Sequence, residues 1–311
     1  MTDEILWAIG APDGRSPDLV DTYKTPNLLG DVVWTVPPAG QTAPPRRWPL
    51  FHPSEADPDA GYRPHPYTVV FPLDHEPAGA YLLRLDYLAI APRLAYLELQ
   101  VNGVSGLAYL RPAPSRSGEI RLQAGLHTTI YAEGVAEVVV PAALLRRGEN
   151  RLVLTARDGG SVLAVENPAA IERLDRMADA AGFVYQWLTF ARLAKPPRSV
   201  LAATEVAPSV VYVTGADGAL VERCSLYLEL ARGIGPSVLA LEIDDTGRRE
   251  RTAFAVPAAA FGHLRLPFDL PDGPSPAVAY TLAGTLGGEA ARREGTLTRR
   301  RKWTVYVAPH A

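Results

Sequence analysis

The chain of 311 residues contains one cysteine, Cys224, so no internal disulfide framework and no cysteine-rich zinc site can form. Cys224 sits in the alternating stretch LVERCSLYLEL, which predicts a strand holding a buried, inert thiol rather than a nucleophile. Nucleotide-binding and hydrolase signatures are missing too: there is no G-x-S-x-G, phosphate-binding loop, G-x-G-x-x-G, H-E-x-x-H or EF-hand loop. The six histidines, at positions 52, 65, 75, 127, 263 and 310, show no pair at metal-ligating spacing. A basic surplus is absent, with 34 acidic against 31 basic residues and a net charge of −3, which argues against nucleic acid as a partner. No apolar run approaches the length of a membrane span, and MTDEILWAIG lacks the basic region and apolar core of a signal peptide. These absences leave a cytoplasmic protein with no membrane partner as the expectation. Only three basic residues are lysine, a scarcity that, beside abundant Ala, Pro and Gly, reads as codon bias.

What is present is a long series of short apolar or alternating runs, among them YTVVFPL, AYLLRLDYLAI, LAYLELQVNG, AEVVVPAALL, NRLVLTA, FVYQWLTFARL, CSLYLEL, SVLALEID and AVAYTLAG. Between them lie VNG, RRGEN, ARDGG, GADG, DDTG and PDGPSP, turn sequences whose Gly, Asn or Asp can adopt positive φ. The pattern predicts an all-β chain, and 29 prolines, mostly between the runs, weigh against helices. One exception is NPAAIERLDRMADAA, residues 167–181, where Ile171, Leu174 and Met177 recur at helical spacing behind an Asn167–Pro168 start. The linker AKPPRS, residues 194–199, divides the chain. The expected organisation is a β-sandwich over 1–195, an immunoglobulin-like sandwich of about seven strands over 196–300, and the start of a further domain over 301–311.

The first part carries a proline-rich arm, VPPAGQTAPPRRWPLFHPSEADPDAGYRPHPY, expected to lie over the surface as an irregular loop. Aromatic faces stack on sugar rings and carboxylates accept sugar hydroxyls, so Trp34, Trp48, Tyr62 and Tyr67 are stacking candidates and Asp57 and Asp59 hydroxyl acceptors. The other reading of the same arm is an ordinary solvated loop. Simple alternation assigns Trp187 and Trp303 to the core and leaves Trp34 and Trp48 for a binding face.

The order of motifs carries a resemblance. Val101-Asn102-Gly103 follows a Leu-rich strand; Pro141-Ala142-Ala143-Leu144-Leu145 precedes Gly148-Glu149-Asn150; Tyr185 sits near the start of the closing strand; WAIGAPDG opens the region. Together these resemble the galactose-binding-like third domain of polysaccharide lyase family 4, the rhamnogalacturonan lyases, which implies a jelly-roll sandwich of carbohydrate-binding type over most of residues 1–193. At the other end, Lys302-Trp303-Thr304-Val305-Tyr306-Val307-Ala308-Pro309-His310 resembles the strand that opens the catalytic domain of glycoside hydrolase family 38, the α-mannosidases. In that family the strand leads to Pro-His-x-His-x-Asp, whose second His and Asp hold zinc. Here the match ends at Pro-His-Ala, one residue before the first such ligand, so the resemblance implies zinc only in a domain beyond this chain and no cofactor within it. The expected function is a non-catalytic accessory region of a carbohydrate-active enzyme, with carbohydrate and a downstream catalytic domain as partners. The alternative is a purely structural or oligomerisation module, self-associating through a sandwich face.

Overall fold

The computed structural model describes residues 3–12, 19–20, 32–37, 48–55, 57, 60–90, 93–111, 119–121, 128–161, 182–215 and 218–299. The helix expected over 167–181, and Trp303, lie outside these residues. The described chain is built of strands apart from a single 3-10 turn, Ala142–Leu144. It is an all-β protein of tandem sandwiches. Among the described residues no helix is long and apolar enough to cross a membrane.

Two compact units emerge. The first comprises 1–202 together with 229–234 and 259–264; the second comprises 203–228, 235–258 and 265–311.

The first unit contains β1 (Glu4–Gly10), β2 (Leu19–Val20), β3 (Val32–Thr35), β4 (Trp48–Pro49), β5 (Phe51–Pro53), β6 (Pro66–Leu73), β7 (Ala80–Ile90), β8 (Arg93–Val101), β9 (Val104–Tyr109), β10 (Glu119–Arg121), β11 (Thr128–Pro141), β12 (Gly148–Ser161) and β13 (Gly182–Arg192). One sheet runs β1-β13-β7-β11-β10, with β5 also pairing β13; the facing strands run β9-β8-β12-β6-β3. Period-2 side chains explain why both faces close on one core. Leu83, Leu85 and Tyr87 of β7 point inward toward Leu97, Leu99 and Val101 of β8, Leu152 and Leu154 of β12, and Val69 and Phe71 of β6. Aromatic rings bridge the sheets: Phe71 lies 5.1 Å from Phe190 and 5.9 Å from Trp7, and within its own sheet Trp7 stacks on Phe190 at 5.7 Å. Each such buried ring removes enough apolar surface from water to favour folding by roughly 2–3 kcal/mol.

Three of the motifs that carried the resemblance, at 101–103, 141–145 and 148–150, form one interlocked corner. Asn102 (φ 49) and Gly103 (φ 87) supply the two positive-φ residues of a two-residue hairpin between β8 and β9. The Asn102 side-chain amide donates to the Leu144 carbonyl and to Asn150 Oδ1, both at 2.9 Å, while its own Oδ1 accepts from Arg151 N–H. Fully buried Asn150 closes the next turn, accepting from Arg146 N–H and donating to the Arg146 and Gly148 carbonyls. The motifs are therefore turn chemistry, and they fix the fold rather than a ligand.

Among the described residues the second unit is a sandwich of seven strands, β14 (Leu201–Thr214), β15 (Leu220–Leu230), β16 (Ser237–Asp245), β17 (Arg248–Val256), β18 (Gly262–Pro271), β19 (Ala277–Leu286) and β20 (Glu289–Thr298), of which residues 201–202, 229–230 and 262–264 belong to the first unit. One sheet carries β14, β15 and β18 in that order, the other β17-β16-β19-β20. Cys224, Leu226 and Leu228 of β15, Leu239, Leu241 and Ile243 of β16, and Phe254 against Phe268 at 6.0 Å are buried. As expected, Cys224 is a core thiol; burial first, then the neighbouring Glu222 carboxylate, push it up to about 12.

Candidate functional site

The described residues of the arm, 36–37, 48–55, 57 and 60–67, are not a loop laid over the surface. β5 pairs with β13, and Trp48, Phe51, His52, Ser54, Asp57, His65 and Tyr67 are all buried. Trp48 meets Tyr67 and Tyr185 edge-on at 5.5 and 5.7 Å, and Trp34 packs edge-on against Trp7 at 5.9 Å. Trp34, Trp48 and Tyr67, expected as stacking platforms, are therefore core residues and present no face to a ligand. Asp57 is likewise buried: its Oδ1 accepts from Ala60 N–H at 2.9 Å and its carbonyl from Tyr62 N–H at 3.1 Å, closing a turn. Tyr62 (φ 52) caps that turn and is 70% exposed, alone among the described candidates in remaining on the surface. Asp59 lies outside the described residues. For Trp48 the cause of the reversal is length: a strand of two residues is too short to show alternation, so the sequence around it contains no signal of what it packs on. Tyr67 stands in the eight-residue β6, where alternation with Val69 and Phe71 places it in the core.

The buried histidines of the arm, His52 and His65, are held by hydrogen bonds. His52 stacks on Tyr67 at 3.9 Å, and its Nε2 lies 2.8 Å from the His65 carbonyl and its Nδ1 2.7 Å from the Tyr185 hydroxyl. The Ala156 N–H also points at Nε2, from 3.2 Å, so the shorter carbonyl contact sets the tautomer: Nε2–H donates to the His65 carbonyl and the Tyr185 O–H donates to Nδ1. Burial holds His52 down to about 3, and hence neutral, despite the carbonyl contact, which acts in the opposite direction. A second neutral imidazole, His263, is held down to about 4 by burial; its Nε2–H donates to the Glu137 carbonyl at 2.6 Å and its Nδ1 accepts from Tyr109 N–H. Both rings are cross-braces, with no lone pair aimed at an opening.

The outer face of the β1-β13-β7-β11 sheet is different. The pairing register of β13 with β7 shifts between Tyr185 and Trp187, leaving Gln186 as an extra residue. Inward parity therefore runs Phe183, Tyr185 before the bulge and Leu188, Phe190 after it. Trp187, assigned to the core by simple alternation, is instead half-buried on the outer face. Gly10, its register partner on β1, has φ +81, and a Cβ there would strike the Gln186 carbonyl oxygen, so the glycine is what lets the bulge sit against β1. The Arg84 guanidinium lies 5.7 Å from the Trp187 ring centroid. Asp86 grips it through Nε–H at 2.9 Å and Nη2–H at 3.3 Å, and Glu137 accepts from Nη1–H at 3.1 Å. These contacts, the Asp86 bond foremost, raise the Arg84 pKa further. Nearby, Glu229 is pushed up to about 7, chiefly by burial and then by Glu137. No periodicity in the sequence marks a bulge, so this face was not legible beforehand.

In the second unit Arg299 is buried between two carboxylates, with Asp245 Oδ2 at 3.0 Å and Glu222 Oε2 at 3.5 Å, and also donates to the Pro271 carbonyl. Gly273 is packed so closely on Asp245 that a Cβ would clash. Among the described residues no group of three or more His, Cys, Asp or Glu side chains could hold a metal ion.

Residues 5–185, a sandwich with these turns and this core, match the family described as CBM-like, polysaccharide lyase family 4, domain III. The chain belongs to that family. No curated protein matches it. Among solved structures, it is similar to a GH2 β-galacturonidase from Eisenbergiella tayi bound to galacturonate, with 14% identity over 84% of this chain and 40% of that one and a TM-score of 0.25. It is also similar to a putative β-galactosidase from Bacteroides fragilis, with 16% identity over 78% of this chain and 33% of that one and a TM-score of 0.25. A third is the β-D-mannosidase from Dictyoglomus thermophilum, with 14% identity, 73% and 28% coverage and a TM-score of 0.20. The chain thus spans at most 40% of these proteins, and TM-scores of this size do not establish a shared fold.

Proposed function

We propose that this chain is a non-catalytic accessory region of a carbohydrate-active enzyme, in which the first unit binds carbohydrate and the second is an immunoglobulin-like spacer. The observation that carries this reading is the match of residues 5–185 to a CBM-like family. The finer part of the proposal is the partner. The stretch Lys302 to His310 resembles the opening strand of the family 38 glycosidase domain, and such a domain would carry its own zinc. Sequencing the gene beyond the codon for Ala311 tests the partner: His-x-Asp in the continuation supports it, and a stop codon or an unrelated sequence removes it. Binding is tested by titrating the intact chain with a panel of mono- and oligosaccharides followed by NMR. Saturable shifts support the reading.

The second reading, a structural or oligomerisation module without ligand, is favoured by one specific observation: Trp34, Trp48 and Tyr67 are all buried in the core. A chain that perturbs no signal with any sugar, and that self-associates in sedimentation, would decide for this alternative.

A further inference from the structure

Trp187 occupies its outward position only because of an inserted residue, Gln186, and that insertion is accommodated by a glycine on the neighbouring strand, Gly10. Bulges of this kind re-aim a side chain at the expense of ladder hydrogen bonds. Around the indole the neighbouring residues are small on one side, where β1 contributes Ala8 and Gly10, and polar on the other, where β7 and β11 contribute Arg84, Asp86 and Glu137. The polar side is rigid. Three of the five guanidinium N–H groups of Arg84 are committed to Asp86 and Glu137, which leaves two donors beside two carboxylates whose side chains are 18% and 43% exposed.

We infer that the outer face formed by Trp187, Arg84, Asp86 and Glu137 is a binding site for an uncharged sugar ring. The inference rests on the reading of the first unit as carbohydrate-binding and assigns that function a surface and a ligand class. A pyranose presents an apolar C–H face and a rim of hydroxyls, which suits an indole beside fixed acceptors and donors. The charge balance selects among sugars. Arg84 contributes one positive charge and Asp86 and Glu137 two negative charges, so the cluster is net negative. A uronate carboxylate would face two carboxylates across a guanidinium already paired with both, whereas neutral hydroxyls donate to those carboxylates without repulsion.

The test uses the intact chain, titrated by NMR with neutral gluco-, galacto- and manno-oligosaccharides and with oligogalacturonate. The expected result is millimolar binding of at least one neutral oligosaccharide and none of the uronate. Trp187→Ala should weaken that binding by about tenfold, Glu137→Gln by several-fold, and Tyr62→Ala in the arm should leave it unchanged. Glu137→Gln is a half-exposed, isosteric change and decides the matter if Trp187→Ala does not fold. Retention of wild-type affinity by Glu137→Gln and folded Trp187→Ala overturns the site while the carbohydrate-binding reading stands. Preference for the uronate overturns the ligand class alone. Binding of no glycan by the wild type overturns both.

Discussion

Glu229 offers a stability test with a definite sign. Its carboxyl is carried from an ordinary value of 4.5 up to about 7, first by burial and second by the Glu137 carboxylate, with Arg111 and a hydrogen bond from the Val139 backbone acting the other way. Disfavouring the charged form to this extent corresponds to about 3 kcal/mol, and allowing for the part of the side chain still in water brings it nearer 2. In the unfolded chain the group ionises near 4.5; in the fold it stays protonated until about 7. The folded protein therefore holds the extra proton between these values, and the stability this contributes is fully present below pH 4.5 and lost as pH rises through about 7. Glu229→Gln keeps an acceptor for the Val139 N–H and removes the titration. The difference in stability between variant and wild type should be near zero at pH 4.5 and about 2–3 kcal/mol in favour of Gln at pH 8. Urea unfolding at the two pH values, followed by tryptophan fluorescence, measures it, and titration effects elsewhere in the chain cancel in the difference. A gap of equal size at both pH values, or a variant less stable at pH 8, refutes the argument.

The two cross-bracing histidines should behave in the opposite sense. With His52 and His263 held down to about 3 and about 4, the stability that depends on their neutral forms is present above about 6.5 and is lost as pH falls, so their ring NMR signals should remain those of neutral imidazole from pH 7 to pH 5; protonation of either ring near pH 6 contradicts the geometry. In the second unit, Arg299→Met leaves the buried Glu222 and Asp245 carboxylates without their cation and should lower stability by roughly 3–5 kcal/mol in urea unfolding; a loss below about 1 kcal/mol would show that the pair is solvated.

Most of the fold was determined locally and was therefore legible in the sequence. The Val101-Asn102-Gly103 hairpin needs positive φ at both central residues, and only a few residue types meet that need cheaply, so the turn announces itself. The long strands β6, β7, β8, β12, β15 and β16 alternate over eight or more residues, enough for the buried face to be read directly. That is why the all-β class, the strands of both sandwiches and the buried Cys224 followed from sequence reasoning. The tryptophans did not, because their exposure depends on pairing. Trp34 and Trp48 stand in strands of four and two residues, where the burial of a side chain is set by which distant strand lies alongside. Trp187 stands in a long strand whose parity is reversed by one inserted residue, and what accommodates that insertion is Gly10, more than 170 positions away. Sequence alone determined how each segment would alternate and turn; only the tertiary structure decided which aromatic faces the core and which faces solvent, because a shift of one residue in register moves every following side chain to the other side of the sheet.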